Sequence, residues 1–335
     1  MTTQGNAVTI RGFEKRYRRH VAVHGVNLDI RQGEIYGLIG PDGAGKSSLM
    51  KSIAGVLAFE AGQVDVFGTT VDSDSAAERT KQRIGFMPQG LGLNLYADLS
   101  VEENIDFFAH LRLVPEASLA ERKKRLLAMT RLEGFRDRPM KNLSGGMKQK
   151  LGLVCTLIHE PDLVILDEPT TGVDPVSRRD FWAILAELLR ERGITALVST
   201  AYMDEASRFQ RAALMYQGGV LAEGTPDEIA TLATGTMIVV ECEPQTEALR
   251  RLQEPFPQIE AVGSRLRVWV DQESGQAASD AVRDELDGLT INSLELIEPE
   301  LEDIFVARLR QEGHSLDELP KLTGAISQGN PVAIE

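Results

Sequence analysis

A glycine-rich segment of the chain contains residues suited to binding phosphate. Residues 40–47 read GPDGAGKS and fit the spacing G-x4-G-K-[ST], after an apolar run at Ile35–Ile39 and before a predicted helix. Glycines let successive backbone N–H groups turn inward around phosphate oxygens, and the helix start adds its positive dipole end. Lys46 is therefore predicted to meet the β- and γ-phosphates of a nucleotide, and Ser47 to join the coordination of Mg²⁺. The pattern predicts a phosphate-binding loop (P-loop).

Two adjacent acids follow a second apolar run. Leu163–Leu166 is a predicted buried strand, and Asp167 and Glu168 come directly after it. Since strand side chains alternate in direction, the two carboxylates are expected to point opposite ways and to have different roles. Asp167 is the expected Mg²⁺ partner, through water, and Glu168 the candidate general base that orients an attacking water. An apolar run ending in Asp-Glu is common, so this interpretation depends on the P-loop.

The segment LSGGM at residues 143–147 precedes an apolar-rich stretch at 148–158. Ser144 before two glycines at a helix start is explained equally well by a simple N-cap and by a second phosphate-binding helix end. The triplet alone does not separate these two interpretations.

Alternating strands and helices up to about residue 225 predict an α/β domain with a parallel core. At about 150 residues per domain, 335 residues suggest two domains. The segment EGTP at 223–226 marks the expected boundary, so we predict domains at 1–225 and 226–312 and a loose tail at 313–335.

The second part has the predicted order βαββαβ, the split-βαβ or ferredoxin-like arrangement. The predicted strands are Met237–Cys242, Ile259–Val262, Leu266–Val270 and Ile291–Ile297, and the predicted helices are Thr246–Gln253, Ala277–Leu286 and Leu301–Leu309. No clustered His, Cys or carboxylate side chains at ligand spacing occur in this part, so no chemistry is assigned to it.

Composition excludes several classes of protein. The chain has 50 acidic and 36 basic residues, a net charge of −14, which argues against a nucleic-acid partner. Cys155 and Cys242 are far apart and cannot form a disulfide framework or a CxxC metal site. A spanning helix needs about 18 apolar residues, and runs such as LGLVCTLI at 151–158 are shorter. We expect a soluble chain without a secretory signal.

Six motifs in this order make residues 7–225 resemble an ATP-binding cassette (ABC) ATPase. They are Tyr17 at the adenine-stacking position, the P-loop, Gln89 in the Q-loop FMPQ, the signature LSGGM, the Walker B strand with its two acids, and Asp174 in the D-loop TGVD (171–174). The resemblance implies a P-loop NTPase with a RecA-like core and a signature helical subdomain, followed by a small C-terminal α+β domain.

The resemblance also implies site residues for ATP and Mg²⁺. It implies catalytic roles for Lys46, Gln89 and Glu168. It implies metal binding by Ser47, Gln89 and Asp167. The nucleotide-binding residues implied are Tyr17, Gly40, Pro41, Asp42, Gly43, Ala44, Gly45, Lys46, Ser47, Ser48, Ser144, Gly145, Gly146 and Asp174.

In the family two cassettes face each other head to tail, and each ATP lies between one P-loop and the other subunit's signature. Ser144 and Gly146 are thus expected to touch the γ-phosphate across a homodimer or heterodimer. Residues 298–305, EPELEDIF, are similar to the end of cassettes that serve type-2 ABC exporters of drugs, lipids or polysaccharides. The implied function is ATP hydrolysis that drives efflux through a separate membrane permease, with this chain on the cytoplasmic face of the membrane.

One position departs from the family pattern. Where the family usually has a histidine that contacts the γ-phosphate, this chain has Ala201. Alanine cannot donate a hydrogen bond, so slow turnover is one interpretation; full activity with a small residue, and pairing with a more active cassette, are two others. Two rival functions also stay open: a soluble ABC protein acting on ribosomes or DNA, and a partner that binds ATP without turnover.

Overall fold

The structure, a computed structural model, describes residues 5–90, 92, 94–232, 234–272 and 274–313. The described chain divides into two compact units, one up to Leu221 and the other from Ala222. The predicted boundary at residue 225 lies four residues later. Apart from Gly313, the predicted tail at 313–335 lies outside the described residues.

Two sheets form the framework of the first unit. An antiparallel sheet has the order β2-β1-β4-β5, and a second sheet has the order β10-β9-β3-β8-β7-β6 and is parallel from β9 to β6. The strands are β1 (Asn6–Tyr17), β2 (His20–Arg31), β3 (Ile35–Ile39), β4 (Ala61–Val66), β5 (Thr69–Thr70), β6 (Ile84–Met87), β7 (Leu163–Leu166), β8 (Thr195–Thr200), β9 (Arg211–Tyr216) and β10 (Gly219–Gly224), which continues past the division at Leu221.

The helices of the first unit follow local capping signals. Ser100 and Glu103 form the reciprocal capping box at the start of α3. Helix α6 begins with Pro175, and Gly193, in the left-handed conformation, caps its C-terminal end. The helices are α1 (Lys46–Ile53), α2 (Asp74–Lys81), α3 (Val101–Leu111), α4 (Glu116–Thr130), α5 (Gly145–Leu157) and α6 (Pro175–Arg192). The predicted α/β class with a helical insertion, α3 to α5, between β6 and β7 is confirmed.

The parallel strands that lead to the predicted site lie in the core. Every residue of β7 and β8 is buried, as apolar runs between two helical layers should be. Both strands therefore have fixed ends, and the residues that follow them start from defined positions at one edge of the sheet.

The second unit contains the elements α7 (Pro226–Ala230), β11 (Thr236–Glu243), α8 (Gln245–Gln253), β12 (Ile259–Val262), β13 (Arg265–Val270), α9 (Gly275–Glu285), β14 (Thr290–Ile297) and α10 (Leu301–Gln311). From β11 to β14 the observed order is βαββαβ, in an antiparallel sheet of order β12-β13-β11-β14. Helices α8 and α9 pack with the sheet around a core that includes Val240, Leu252 and Val268.

Candidate functional site

The loop between β3 and α1 is closed by tight backbone packing. A Cβ added to Gly40 would lie 2.1 Å from the carbonyl oxygen of Met215, and one added to Gly45 would lie 2.6 Å from that of Ala22. Gly45 also has φ = 100°, a conformation that L side chains rarely adopt. Neither glycine can be replaced without moving the surrounding backbone, which fits a loop whose backbone groups bind a ligand.

The other predicted P-loop residues have defined environments. Pro41 and Ala44 are buried, whereas Asp42 and Gly43 are exposed. Ser48 lies in the first turn of α1, where its carbonyl accepts a hydrogen bond from Ser52. The loop thus presents its exposed tip to solvent and anchors its two ends.

Lys46 is buried, with 3% of its surface exposed. Its Nζ donates to the carbonyl oxygens of Gly40, at 2.7 Å, and of Pro41, at 3.0 Å. The same Nζ lies 3.3 Å from Glu168 Oε1, which is also buried. The ammonium group is therefore held inside the loop by three oxygen atoms, and a phosphate ligand would exchange for some of them.

Asp167 is fully buried and has one oxygen bonded and one free. Its Oδ1 accepts hydrogen bonds from Ser47 Oγ at 2.9 Å and from Ser199 Oγ at 2.8 Å. Its Oδ2 has no hydrogen-bond partner among the described residues. A buried carboxylate oxygen without a partner is unfavourable by itself, and it is the type of hard ligand that Mg²⁺ takes.

Glu168 connects the P-loop to the Q-loop. Its Oε2 accepts from Gln89 Nε2 at 2.7 Å and from Thr171 Oγ1 at 3.2 Å. Gln89 is near because β6 and β7 are parallel neighbours, and the backbone N–H of Asp167 donates to the carbonyl of Met87 at the end of β6.

The expectation from strand alternation needs a correction. Strand β7 ends at Leu166, before both acids, and Glu168 has φ = 48°, outside the range of a strand. The two carboxylates contact successive residues of α1, Ser47 and Lys46. Their partners differ because of this local turn and not because of alternation along the strand.

Ser199 is a site residue that the sequence reasoning missed. It is fully buried near the end of β8, and its hydroxyl donates to Asp167 Oδ1 and accepts from the backbone N–H of Glu168 at 2.9 Å. One hydroxyl therefore fixes both acids, including the left-handed backbone at Glu168. The available signal was a serine near the end of the short β-branched and apolar segment TALVST at residues 195–200.

Tyr17 lies at the end of β1 and reaches the first turn of α1. Its hydroxyl is 3.2 Å from Ser48 Oγ, and the residue is 46% exposed. The structure therefore brings the predicted adenine-stacking ring next to the P-loop helix.

The predicted signature and D-loop residues lie at the starts of two helices, α5 and α6. Ser144 caps α5 by accepting from the N–H of Met147, and Asp174 caps α6 by accepting from the N–H of Ser177. The hydrogen bonds from Ser177 hold the pKa of Asp174 below its usual value. Gly146 packs directly on Ser177. Both capping residues, Ser144 and Asp174, are exposed. Gly145 is partly buried and separates Ser144 from the buried Gly146.

Ala201 lies beside the P-loop. The carbonyl of Thr200 accepts from the backbone N–H of Gly40 at 3.2 Å, which ties the end of β8 to the start of the loop. Ala201 itself is buried, and Tyr202, which follows, stacks against the Arg178 guanidinium at 4.5 Å. The position that the family uses for a polar group thus holds a methyl group close to the predicted site.

The residues present fit a nucleotide and a divalent cation. The free Oδ2 of Asp167 and the hydroxyl of Ser47 are oxygen atoms of the kind that bind Mg²⁺, and the ammonium of the adjacent residue, Lys46, supplies positive charge. Such a combination neutralises a polyphosphate and its metal together. A parallel α/β core with this loop defines the chain as a P-loop nucleotide-binding protein.

The comparisons with known proteins specify the family. The sequence profile described as ABC transporter matches residues 23–171. The Nod factor export ATP-binding protein I of Ralstonia nicotianae is 35% identical over 261 residues, which are 77% of this chain and 80% of that protein. The chain therefore belongs to the ATP-binding proteins of ABC transporters, and the predicted family is confirmed.

A second relative is longer than this chain. The probable multidrug ABC transporter ATP-binding protein YbhF of Escherichia coli (strain K12) is 36% identical over 331 residues, which are 97% of this chain. The match spans 55% of YbhF, so this chain corresponds to about half of that relative.

Solved structures agree with the fold. The structure of cbiO1 from Clostridium perfringens, part of the ABC transporter complex cbiONQ, matches with a TM-score of 0.63 and 26% identity, over 76% of this chain and 97% of that one. The dimeric cassette MJ0796 in a post-hydrolysis state, bound to ADP and Pi, matches with a TM-score of 0.60 and 25% identity, over 65% and 98%. Among the described residues, no helix is long and apolar enough to cross a membrane.

Proposed function

We propose that this chain binds and hydrolyses ATP with Mg²⁺ and thereby drives export through a separate membrane permease. One observation carries the proposal: Lys46, Ser47, Gln89, Asp167 and Glu168 are joined by direct contacts, and the free Oδ2 of Asp167 lies among them. This set contains a cation for phosphate, oxygen ligands for a metal, and a carboxylate that can accept a proton from water.

Each residue has a distinct task in the proposed reaction. Lys46 leaves the carbonyls of its own loop to bind phosphate oxygens, which also ends its ion pair with Glu168. Glu168 is then a free carboxylate, and the amide of Gln89 holds it in place to orient and deprotonate the attacking water. Bound Mg²⁺ would add charge neutralisation at the transferred phosphoryl group. Ser47 and Asp167 are the residues that would hold it.

The second half of the site comes from a second cassette in this proposal. The starts of α5 and α6 carry exposed caps at Ser144 and Asp174, and helix N-termini favour anions. The dimeric MJ0796 structure bound to ADP and Pi supports pairing of two cassettes. We assign Ser144, Gly145, Gly146 and Asp174 to the second half of the site on this basis. ATP would then join two chains, and loss of its terminal phosphate would let them separate.

The export direction and the permease rest on the relatives. One relative is named as the ATP-binding protein of a multidrug ABC transporter and another as the ATP-binding protein of Nod factor export, and cbiO1 is part of the ABC transporter complex cbiONQ. By the same logic we place this chain on the cytoplasmic side of a permease that moves drug-like or lipidic molecules.

The test uses Glu168→Gln in the full chain. With ATP and Mg²⁺ this variant should form stable dimers by light scattering while phosphate release stops, because the amide cannot take a proton from water. Lys46→Ala should bind no nucleotide and stay monomeric. Glu34→Gln is the matched control, since Glu34 is also a buried carboxylate in an ion pair, with Arg211 outside the site instead of with Lys46. A monomeric Glu168→Gln variant at saturating ATP would overturn the proposal.

A further inference from the structure

A buried cation lies against the ring of Tyr17. Lys15 Nζ is 5.0 Å from the centre of the Tyr17 ring, within the range of a cation–π interaction. The Lys15 side chain is only 8% exposed, whereas Tyr17 is 46% exposed. The ammonium group therefore takes the inward face of the ring and leaves the outward face to solvent.

The position of this ammonium group is fixed by Glu60. Lys15 Nζ is 3.0 Å from Glu60 Oε1, and Glu60 Oε2 accepts a hydrogen bond from the backbone N–H of Arg16 at 2.6 Å. The backbone N–H of Glu60 in turn donates to the carbonyl of Glu14. These bonds, first the one from Arg16 and then the one from Lys15, lower the pKa of Glu60. The end of the Lys15 side chain thus has a set position beside strand β1.

We propose that Lys15 is a positioning residue for recognition of the nucleotide base. Its charge attracts the π-electrons of Tyr17 and so holds the ring in one orientation. Electron density drawn toward the inward face leaves the outward face electron-poor, which favours stacking on an electron-rich purine. The proposal rests on the proposed function, because it assumes that a nucleotide binds at this P-loop.

In this role Lys15 contributes to binding of the base and not to binding of the phosphates. Lys15 contacts Tyr17 and Glu60 and has no hydrogen bond to the P-loop among the described residues. Loss of its charge should therefore weaken ligands that have a base and leave a bare polyphosphate unaffected. A residue that merely supported the fold would change both ligands alike.

The experiment measures dissociation constants of the full chain for ATP and for tripolyphosphate, both with Mg²⁺, by calorimetry. Lys15→Met keeps most of the side-chain volume and removes the charge; it should weaken ATP about two- to fivefold, the range that corresponds to one cation–π contact at a partly exposed ring, and leave tripolyphosphate unchanged. Lys15→Arg should retain the ATP affinity of the wild type. Lys124→Met, at an exposed lysine of α4, is the control for loss of one positive charge.

Three outcomes would overturn the proposal: equal weakening of both ligands, no change in either, or an Arg variant as weak as the Met variant. If Lys15→Met does not fold, Glu60→Gln, which loosens the ammonium group, should still weaken ATP selectively. Wild-type protein that binds neither ligand would contradict the proposed function itself, whereas tight ATP binding with an unaffected Lys15→Met variant contradicts only the role of Lys15.

Discussion

Replacing Ser199 by alanine tests whether one buried hydroxyl organises the metal-binding side of the site. The substitution removes the donor to Asp167 Oδ1 and the acceptor for the N–H of Glu168. A buried N–H without an acceptor costs about 1–3 kcal/mol, and a hydrogen bond to a charged group contributes about 1.5–3 kcal/mol. Because Ser47 still donates to Asp167 Oδ1, we expect a total loss of about 3 kcal/mol in the free energy of unfolding.

The stronger effect should fall on Mg²⁺. Without the Ser199 hydroxyl, Ser47 is the single remaining donor to Asp167 Oδ1, so the direction of the free Oδ2 is less well fixed. Loss of a residue that orients a metal ligand typically weakens metal affinity about 10- to 100-fold. The assay is the Mg²⁺ concentration that gives half of the ATP-dependent increase in melting temperature, which reports binding without turnover.

Thr195→Val provides the matched control on the same strand. Thr195 is also buried, and its hydroxyl accepts one hydrogen bond, from the backbone N–H of Gly33 at 3.0 Å, away from the acids. This variant should lose stability without moving the Mg²⁺ midpoint. If Ser199→Ala leaves the midpoint within about twofold of the wild type, a change of about 0.4 kcal/mol, or if Thr195→Val shifts it equally, the role assigned to Ser199 is refuted.

Two further changes test single positions. Ala201→His should raise steady-state phosphate release by on the order of 10²-fold, because it restores a polar group beside the P-loop; equal rates would show that this chain does not need one. Burial, followed by the charges of Arg112 and Arg122, lowers the pKa of His159 to about 4. The folded state thus binds this proton less readily than the unfolded state, and stability should fall by about 2 kcal/mol from pH 7 to pH 5. His159→Gln should lack this part of the loss in denaturant unfolding; an unchanged pH dependence would contradict the assignment.

The sequence was most informative where chemistry depends on neighbouring residues. The P-loop segment and the strand Leu163–Leu166 are local patterns, and the structure has them at the predicted residues. The predicted helix from Leu301 is also observed, with Ile304 and Phe305 buried on its inner face. In each case residue type and spacing contain the whole signal.

What could not be predicted depends on which distant strands become neighbours. Ser199 meets Asp167 only because β8 lies between β3 and β7, an order that no spacing along the chain encodes. The place of Glu168 depends on a left-handed turn at a residue type that seldom adopts one. Lys15 similarly required the fold, since its partner Glu60 is 45 residues away.

The close packing of Gly146 on Ser177 links the start of the signature helix, α5, to the start of α6, which follows the D-loop. A methyl group at Gly146 would lie 2.6 Å from the Ser177 hydroxyl, and one turn further along, Lys150 pairs with Asp180. The first turns of α5 and α6 therefore form one module with matched surfaces. A chimera that takes helix α5 from a related cassette would therefore also need helix α6 from that cassette. Substitutions at the contact surface of either helix are limited by the residues of the other.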